Sequence, residues 1–187
     1  MKLSKIFNPR VVIIILLLAF LLGIIGSVLI SCVERVIYPR NYSEYVTKYA
    51  EKYGVPTNLV YAVIKTESGF DSNAVSRVGA IGLMQILPST GEWLANYYLN
   101  DSFPSLSLYD PQTNIKYGVY YLQYLFSKFG SWEKAIIAYN WGEGNFADFL
   151  QKNGYEEGKY NSIPVRETRN YVKKVMHHLE KYNKLYK

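Results

Sequence analysis

The run from Val11 to Ile30 carries no charge and no proline and is mostly Ile, Leu and Val. As a helix rising ~1.5 Å per residue it reaches roughly 30 Å, the thickness of a bilayer's hydrocarbon core. A core helix of a soluble domain is rarely so uniformly apolar, and a cleaved signal peptide usually has a shorter apolar region and an A-x-A-like site. Lys2, Lys5 and Arg10 precede the run and no acid accompanies them. The positive-inside bias therefore predicts a cytoplasmic N-terminus, with everything after the span outside. Leu29-Ile30-Ser31-Cys32 leaves an alternative open, because it has the form of a bacterial lipobox with Cys32 as the acylated residue. The expected division is a cytoplasmic tail over 1–10, a transmembrane anchor over 11–32, a linker over 33–41 and one domain over 42–187.

The chain has 187 residues and a net charge of +6, unevenly spread. From Arg166 onward there are seven Lys/Arg against two Glu, so once both ends are set aside the middle is slightly acidic. That argues against a nucleic-acid-binding face on the main domain. The single cysteine excludes an internal disulfide. His177 and His178 are adjacent and lack partners at metal-ligand spacing, and no phosphate-binding glycine loop or nucleophile elbow appears. Neither a metal nor a cofactor is expected.

Within the domain, Val60, Val63, Ile64 and Glu67 are three and four apart and share one helical face. The face is apolar except for Glu67. A carboxylate there is poorly solvated, and Ser68-Gly69 places it at the helix C-terminus, where the dipole also disfavours negative charge. Both effects raise its pKa, which suits a general acid. The plainer reading is a glutamate that tips out to solvent at a helix end. Further on, Gly79 and Gly82 permit tight turns in an irregular segment from Phe70, and Gln85 is a polar residue in the apolar run Leu83–Leu87 that needs a partner if buried.

Glu67-Ser68-Gly69-Phe70, Gly82-Leu83-Met84-Gln85 and Ala138-Tyr139-Asn140, in that order, resemble the three motifs of the lytic transglycosylase family, whose catalytic domain is goose-lysozyme-like. The closing stretch Glu167-Thr168-Arg169-Asn170-Tyr171-Val172 is similar to that family's E-T-x-x-Y-V signature. The resemblance covers roughly Tyr42 to Tyr182. It implies an all-α, lysozyme-like domain and assigns Glu67 as the catalytic acid. It assigns Ser76, Gln85, Leu87, Tyr139, Asn140 and Glu167 to substrate binding, with the Tyr139 hydroxyl near Glu67 and Glu167 lining the site. Leu87 replaces the family's usual Met. Trp141 and Glu143 replace Ala and Pro in the loop after Asn140, which should make that loop less rigid and introduces a second carboxylate.

Around these motifs the periodicity predicts helices. Tyr42, Tyr45, Val46, Tyr49, Ala50 and Tyr53 make one stripe, closed by Gly54. Pro56 suits the first turn of the next helix. Pro88 opens a helix to about Leu99, Asp101–Tyr109 is a loop, and Asp110-Pro111 starts a long helix ending at Gly130. Ser131-Trp132 begins the helix that carries Tyr139. Phe146–Lys152 is a short helix, Gly154–Ser162 a loop, and Val172, Val175, Met176 and Leu179 form a last stripe.

The resemblance implies cleavage of the β-1,4 bond between N-acetylmuramic acid and N-acetylglucosamine in peptidoglycan, giving a 1,6-anhydro product without water. The implied partners are glycan strands and, through residues 11–32, the cytoplasmic membrane. Two alternatives are a lysozyme-type hydrolase using Glu143 or Asp71 to activate water, and a non-catalytic wall-binding scaffold.

Overall fold

The computed structural model describes residues 9–101 and 105–186. The basic flank at Lys2 and Lys5 and part of the loop expected after Asp101 lie outside the described residues. The chain divides into two compact units, with the division between Pro39 and Arg40. The first holds α1 (Pro9–Ile37), within which Val12–Ile37 is long and apolar enough to cross a membrane. The helix runs on to Ile37, so residues 33–37 are helical where a linker was expected. No proline or glycine interrupts the chain between Val28 and Ile37, and a helix already nucleated extends readily through such a stretch.

The second unit is built from α2 (Ser43–Tyr53), α3 (Thr57–Glu67), α4 (Pro88–Leu94), α5 (Pro111–Phe129), α6 (Trp132–Trp141), α7 (Glu143–Asn153) and α8 (Arg166–Leu185). Among the described residues the only β pairing is two isolated bridges, Val75 with Ile81 and Ile81 with Ile86. Local chemistry sets most of the boundaries. Asp110 accepts a hydrogen bond from the Thr113 amide (2.8 Å) and Ser131 from the Lys134 amide (3.2 Å), two side-chain N-caps. Gly54 (φ 69°) and Gly130 (φ 78°) stop α2 and α5 in the left-handed conformation that favours glycine. Pro56 stands at the N-cap of α3 rather than inside its first turn.

α3 is the centre of the unit. Leu59 through Ile64 are all buried, so the apolar stripe read from sequence is one side of a helix enclosed all round. α3 packs against α2 and α8, and α6 joins α5, α7 and α8. Tyr61 of α3 stacks on Tyr182 of α8 (5.4 Å between ring centres), and Arg40 lies over both Tyr61 (5.1 Å) and Tyr186 (5.2 Å).

Two connections differ from expectation. After α4 the helix widens into a π turn, Ala95–Leu99, and part of the following loop is a 3-10 turn, Ser105–Tyr109. The loop expected after Asn140 contracts to Gly142 (φ 91°), with Glu143 already in the first turn of α7, where a negative charge suits the helix dipole.

A buried acid pins the return to α8. Glu133 of α6 accepts from the Tyr155 hydroxyl (2.6 Å), the Gly158 amide (2.7 Å) and the Tyr160 hydroxyl (3.1 Å). Glu133→Ala strands three donors and should cost about 3 kcal/mol. Glu156→Ala, which breaks only the exposed pair with Lys159, should cost under about 1 kcal/mol. Thermal unfolding of the detergent-solubilised chain measures both, and equal losses would remove Glu133 from this role.

Candidate active site

Glu67 is the last residue of α3, partly exposed at the helix end. The chain turns there through Gly69 (φ 61°) and Phe70 (φ 74°). A non-glycine residue at such a φ is strained and persists only where its surroundings hold it. Ser68 holds it: its hydroxyl accepts from the Phe70 amide (3.1 Å) and donates to the Leu83 carbonyl (2.9 Å). The acid-bearing helix end is thereby tied to the Gly82–Gln85 turn.

That turn belongs to a densely hydrogen-bonded segment. Ser76 Oγ accepts from the Ala80 amide (3.0 Å), Gly82 N–H donates to the Ala74 carbonyl (2.8 Å), and the Ile81 and Ile86 backbones pair (3.0 and 3.1 Å). Gln85, at φ 50°, gives both side-chain protons to the segment, to Ala74 O (3.1 Å) and Gly82 O (2.9 Å). It therefore has only an acceptor oxygen left for a ligand, whereas Ser76 keeps its hydroxyl proton. From outside, the buried Asn114 of α5 accepts from the Met84 amide (2.7 Å) and donates to the carbonyls of Ile81 and Leu108 (2.8 Å each). Gly118 lets α5 approach Met84 closely, because a Cβ there would stand 2.4 Å from Met84 Sδ.

Two tyrosines complete the surroundings of the acid. Tyr171 of α8 donates to Glu67 Oε1 (2.6 Å), and Tyr139 of α6 donates to the Met84 carbonyl (2.8 Å). Burial and then the neighbouring Glu67 charge push both hydroxyls well above their usual pKa, so both remain donors. Burial raises Glu67 itself to about 7, and the Tyr171 hydrogen bond offsets part of that rise. Tyr171→Phe should therefore move the Glu67 titration midpoint upward from about 7, as read from the carboxyl carbon by NMR. A midpoint that stayed or fell would mean that the hydrogen bond does not favour the carboxylate.

Gln85, Leu87, Tyr139 and Asn140 line one cavity of about 260 Å³ together with Ile86, Thr90, Tyr121, Trp141 and Gly142. Glu67, Ser76 and Glu167 are not among its walls. Glu167 stands exposed on the first turn of α8, where its charge suits the helix N-terminus. Tyr171, one turn further along, is the residue of the E-T-x-x-Y-V signature that touches Glu67. It is eight per cent exposed, and its sequence signal is the tyrosine position of that signature, which does not by itself point to Glu67. Asp71 is exposed and accepts from the Asn73 amide (2.8 Å). Glu143 is held by the Tyr124 hydroxyl (2.9 Å) and by an ion pair with Lys128. A broader hollow of about 820 Å³ along α2 is walled only by Ser43, Glu44, Thr47, Lys48, Glu51 and Lys52 and has no aromatic surface.

The arrangement has the parts of a single-acid site: a carboxyl poised near neutrality, two fixed hydroxyl donors and a cavity with aromatic walls. The family model described as Transglycosylase SLT domain matches residues 44–162. The chain is 34% identical over 147 residues to the soluble lytic murein transglycosylase of Escherichia coli (strain K12), covering 74% of this chain and 22% of that protein. It is 34% identical over 160 residues to the membrane-bound lytic murein transglycosylase C of Haemophilus influenzae (strain PittEE), covering 73% and 45%. The crystal structure of the 70 kDa soluble lytic transglycosylase from Escherichia coli superposes with a TM-score of 0.74 at 31% identity, over 81% of this chain and 25% of that one. An inactive glutamate-to-glutamine mutant of the lytic transglycosylase Slt from Pseudomonas aeruginosa gives a TM-score of 0.74 at 29% identity, again over 81% and 25%. The all-α, lysozyme-like fold expected from the sequence is the fold found. The chain spans less than half the length of these relatives.

Proposed function

The chain belongs to the transglycosylase SLT domain family, and from that premise we propose that it is a membrane-anchored lytic transglycosylase that cleaves peptidoglycan between N-acetylmuramic acid and N-acetylglucosamine. The observation that carries the reading is Glu67, a carboxyl raised to about 7 and held by a 2.6 Å hydrogen bond from Tyr171. Protonated, it gives its proton to the glycosidic oxygen as the bond to the muramoyl C1 breaks. The positive charge at C1 is shared by the muramoyl N-acetyl group. Glu67, now a carboxylate, takes the proton of the muramoyl C6 hydroxyl, whose oxygen bonds to C1. The acid is regenerated, no water is consumed and the product is a 1,6-anhydro sugar. One group serving as acid and then base works best with a pKa near the working pH.

Ordinary glycosidases need a second carboxylate. The two candidates here each make a structural contact: Glu143 through Oε1 with Lys128 and Tyr124, and Asp71 in a turn at Asn73. Gln85, Leu87, Tyr139 and Asn140 are assigned to the glycan groove by the cavity they share. Ser76 and Glu167 are assigned to it by their motifs alone. α1 serves as the anchor, with its basic flank cytoplasmic and the domain on the wall side. Acylation at Cys32 is the competing attachment, and a lipid-sized mass increment on the peptide containing Cys32 would replace the anchor reading with it.

Product analysis tests the reaction. The full chain in detergent is incubated with purified peptidoglycan, and the released fragments are weighed. Fragments one water lighter than reducing-end products and resistant to borohydride are expected. Reducing-end products would overturn the proposal in favour of hydrolysis, and no products would overturn it in favour of binding alone.

A further inference from the structure

The cavity beside Tyr139 adjoins a second of about 310 Å³, lined by Ser89, Thr90, Trp93, Tyr121 and Glu143. Thr90 and Tyr121 wall both, so the two make one groove. Its aromatic side is continuous. The Tyr139 and Tyr121 rings are 5.3 Å apart, and Tyr121 meets Trp93 at 6.4 Å.

The second half is built to hold one ring in one orientation. Trp93 packs nearly perpendicular to Tyr98 and to Tyr124, each at 5.0 Å, and to Tyr121. The Tyr98 contact depends on the π turn, which brings residues five apart towards one face. Part of the indole remains exposed. Both protein donors to Glu143, the Tyr124 hydroxyl and Lys128, sit on Oε1, which leaves Oε2 as an acceptor at the cavity wall. The Lys128 charge balances the carboxylate, so the wall neither repels an anionic strand nor recruits a cation.

A flat, fixed aromatic face beside one hydrogen-bond acceptor fits a pyranose: its C–H face on the indole, a hydroxyl or N-acetyl N–H to the carboxylate. A purely apolar ligand would desolvate the acceptor without replacing its hydrogen bond. We propose that Trp93 and Glu143 form a further saccharide subsite, continuous with the Tyr139 cavity, that binds another sugar of the same strand. The proposal rests on the glycan-cleaving reading of the site. It gives a role to Glu143, which replaces a residue with no acceptor side chain in the motif and which the proposed bond cleavage does not use.

The test measures how affinity grows with chain length. The full chain carrying Glu67→Gln, in detergent, is titrated calorimetrically with the N-acetylglucosamine dimer and hexamer. The hexamer should bind more tightly. That advantage should shrink roughly 3- to 10-fold when Trp93→Ala is added and shrink less with Trp93→Phe, which keeps an aromatic face. Glu143→Pro should also shrink it, and proline is tolerated at the first position of a helix, so α7 is kept. The proposal is overturned if the advantage is unchanged, if dimer and hexamer affinities fall alike, or if the parent shows no advantage. Failure of the reaction is seen separately: absent anhydro products with a Trp93-dependent length effect would sink the transglycosylase alone, and anhydro products without that effect would sink the subsite alone.

Discussion

Glu67→Gln should lower turnover of peptidoglycan by about 10³-fold or more, because in the proposed reaction one side chain acts in both proton transfers and each is worth about 10²-fold or more. Glutamine keeps the shape and can still accept the Tyr171 hydrogen bond of 2.6 Å, so the fold should survive. The same change should stabilise the protein at alkaline pH. The folded-state pKa of Glu67 is raised from 4.5 to about 7. Below pH 4.5 the carboxyl is neutral in both folded and unfolded chains, and the burial carries no ionic cost. Between 4.5 and 7 the unfolded chain releases its proton while the folded one retains it, so stability falls as pH rises and levels off above about 7. Glu67→Gln removes that loss. Its melting temperature should match the wild type near pH 4 and exceed it at pH 8, by a free energy on the order of 2 kcal/mol. For the same reason kcat/KM should fall as pH rises through about 7, since the first step of the proposed reaction needs the protonated acid. A variant that keeps wild-type turnover would remove Glu67 from the chemistry. A variant without the alkaline stability gain would mean that its carboxyl is not held near neutrality by burial.

Asn114→Ala should be the most destabilising change that leaves the acid untouched. It strands a buried amide at Met84 and the carbonyls of Ile81 and Leu108, and it opens a gap beside Gly82. Unsatisfied buried groups cost about 1–3 kcal/mol each, so a total near 4 kcal/mol is expected once partial relaxation is allowed. Asn114→Leu fills the gap but restores none of the bonds and should recover little. Gly82→Ala reaches the same point from the other side: its Cβ would lie 2.3 Å from Asn114 Nδ2 and 2.5 Å from Leu108 O, on a residue at φ 77°. Thermal unfolding of the full chain measures the loss. Hydrogen exchange should show it concentrated in residues 74–87, since those are the groups set free. A loss under about 1 kcal/mol would mean that the turn holds itself and that Asn114 only fills space.

Both predictions centre on one short stretch, and they differ in how far the sequence revealed them. Glu67 was legible because its neighbours three and four residues back define the helix face that it interrupts. Asn114 was not, since a polar residue early in a helix ordinarily faces water, and its three partners lie on other segments up to 33 residues away. Tyr171 shows the same limit more sharply. Its hydroxyl meets a carboxylate 104 residues earlier, and no periodicity encodes that contact.

What the sequence determined by itself was local. The apolar span, the helix starts at Asp110 and Ser131 and the stops at Gly54 and Gly130 depend on neighbours within one or two turns, and hydrogen bonding, backbone sterics and hydropathy act at that range. The tertiary structure alone decided how far Glu67 is desolvated, which hydroxyl holds it, how Gln85 spends its amide protons, and that Trp93, Tyr121 and Glu143 share a groove with Tyr139. Those depend on which distant segments exclude water from the same point. Burial and hydrogen-bond satisfaction are properties of a packed neighbourhood, and that neighbourhood exists only when α3, α5, α6 and α8 close around one another.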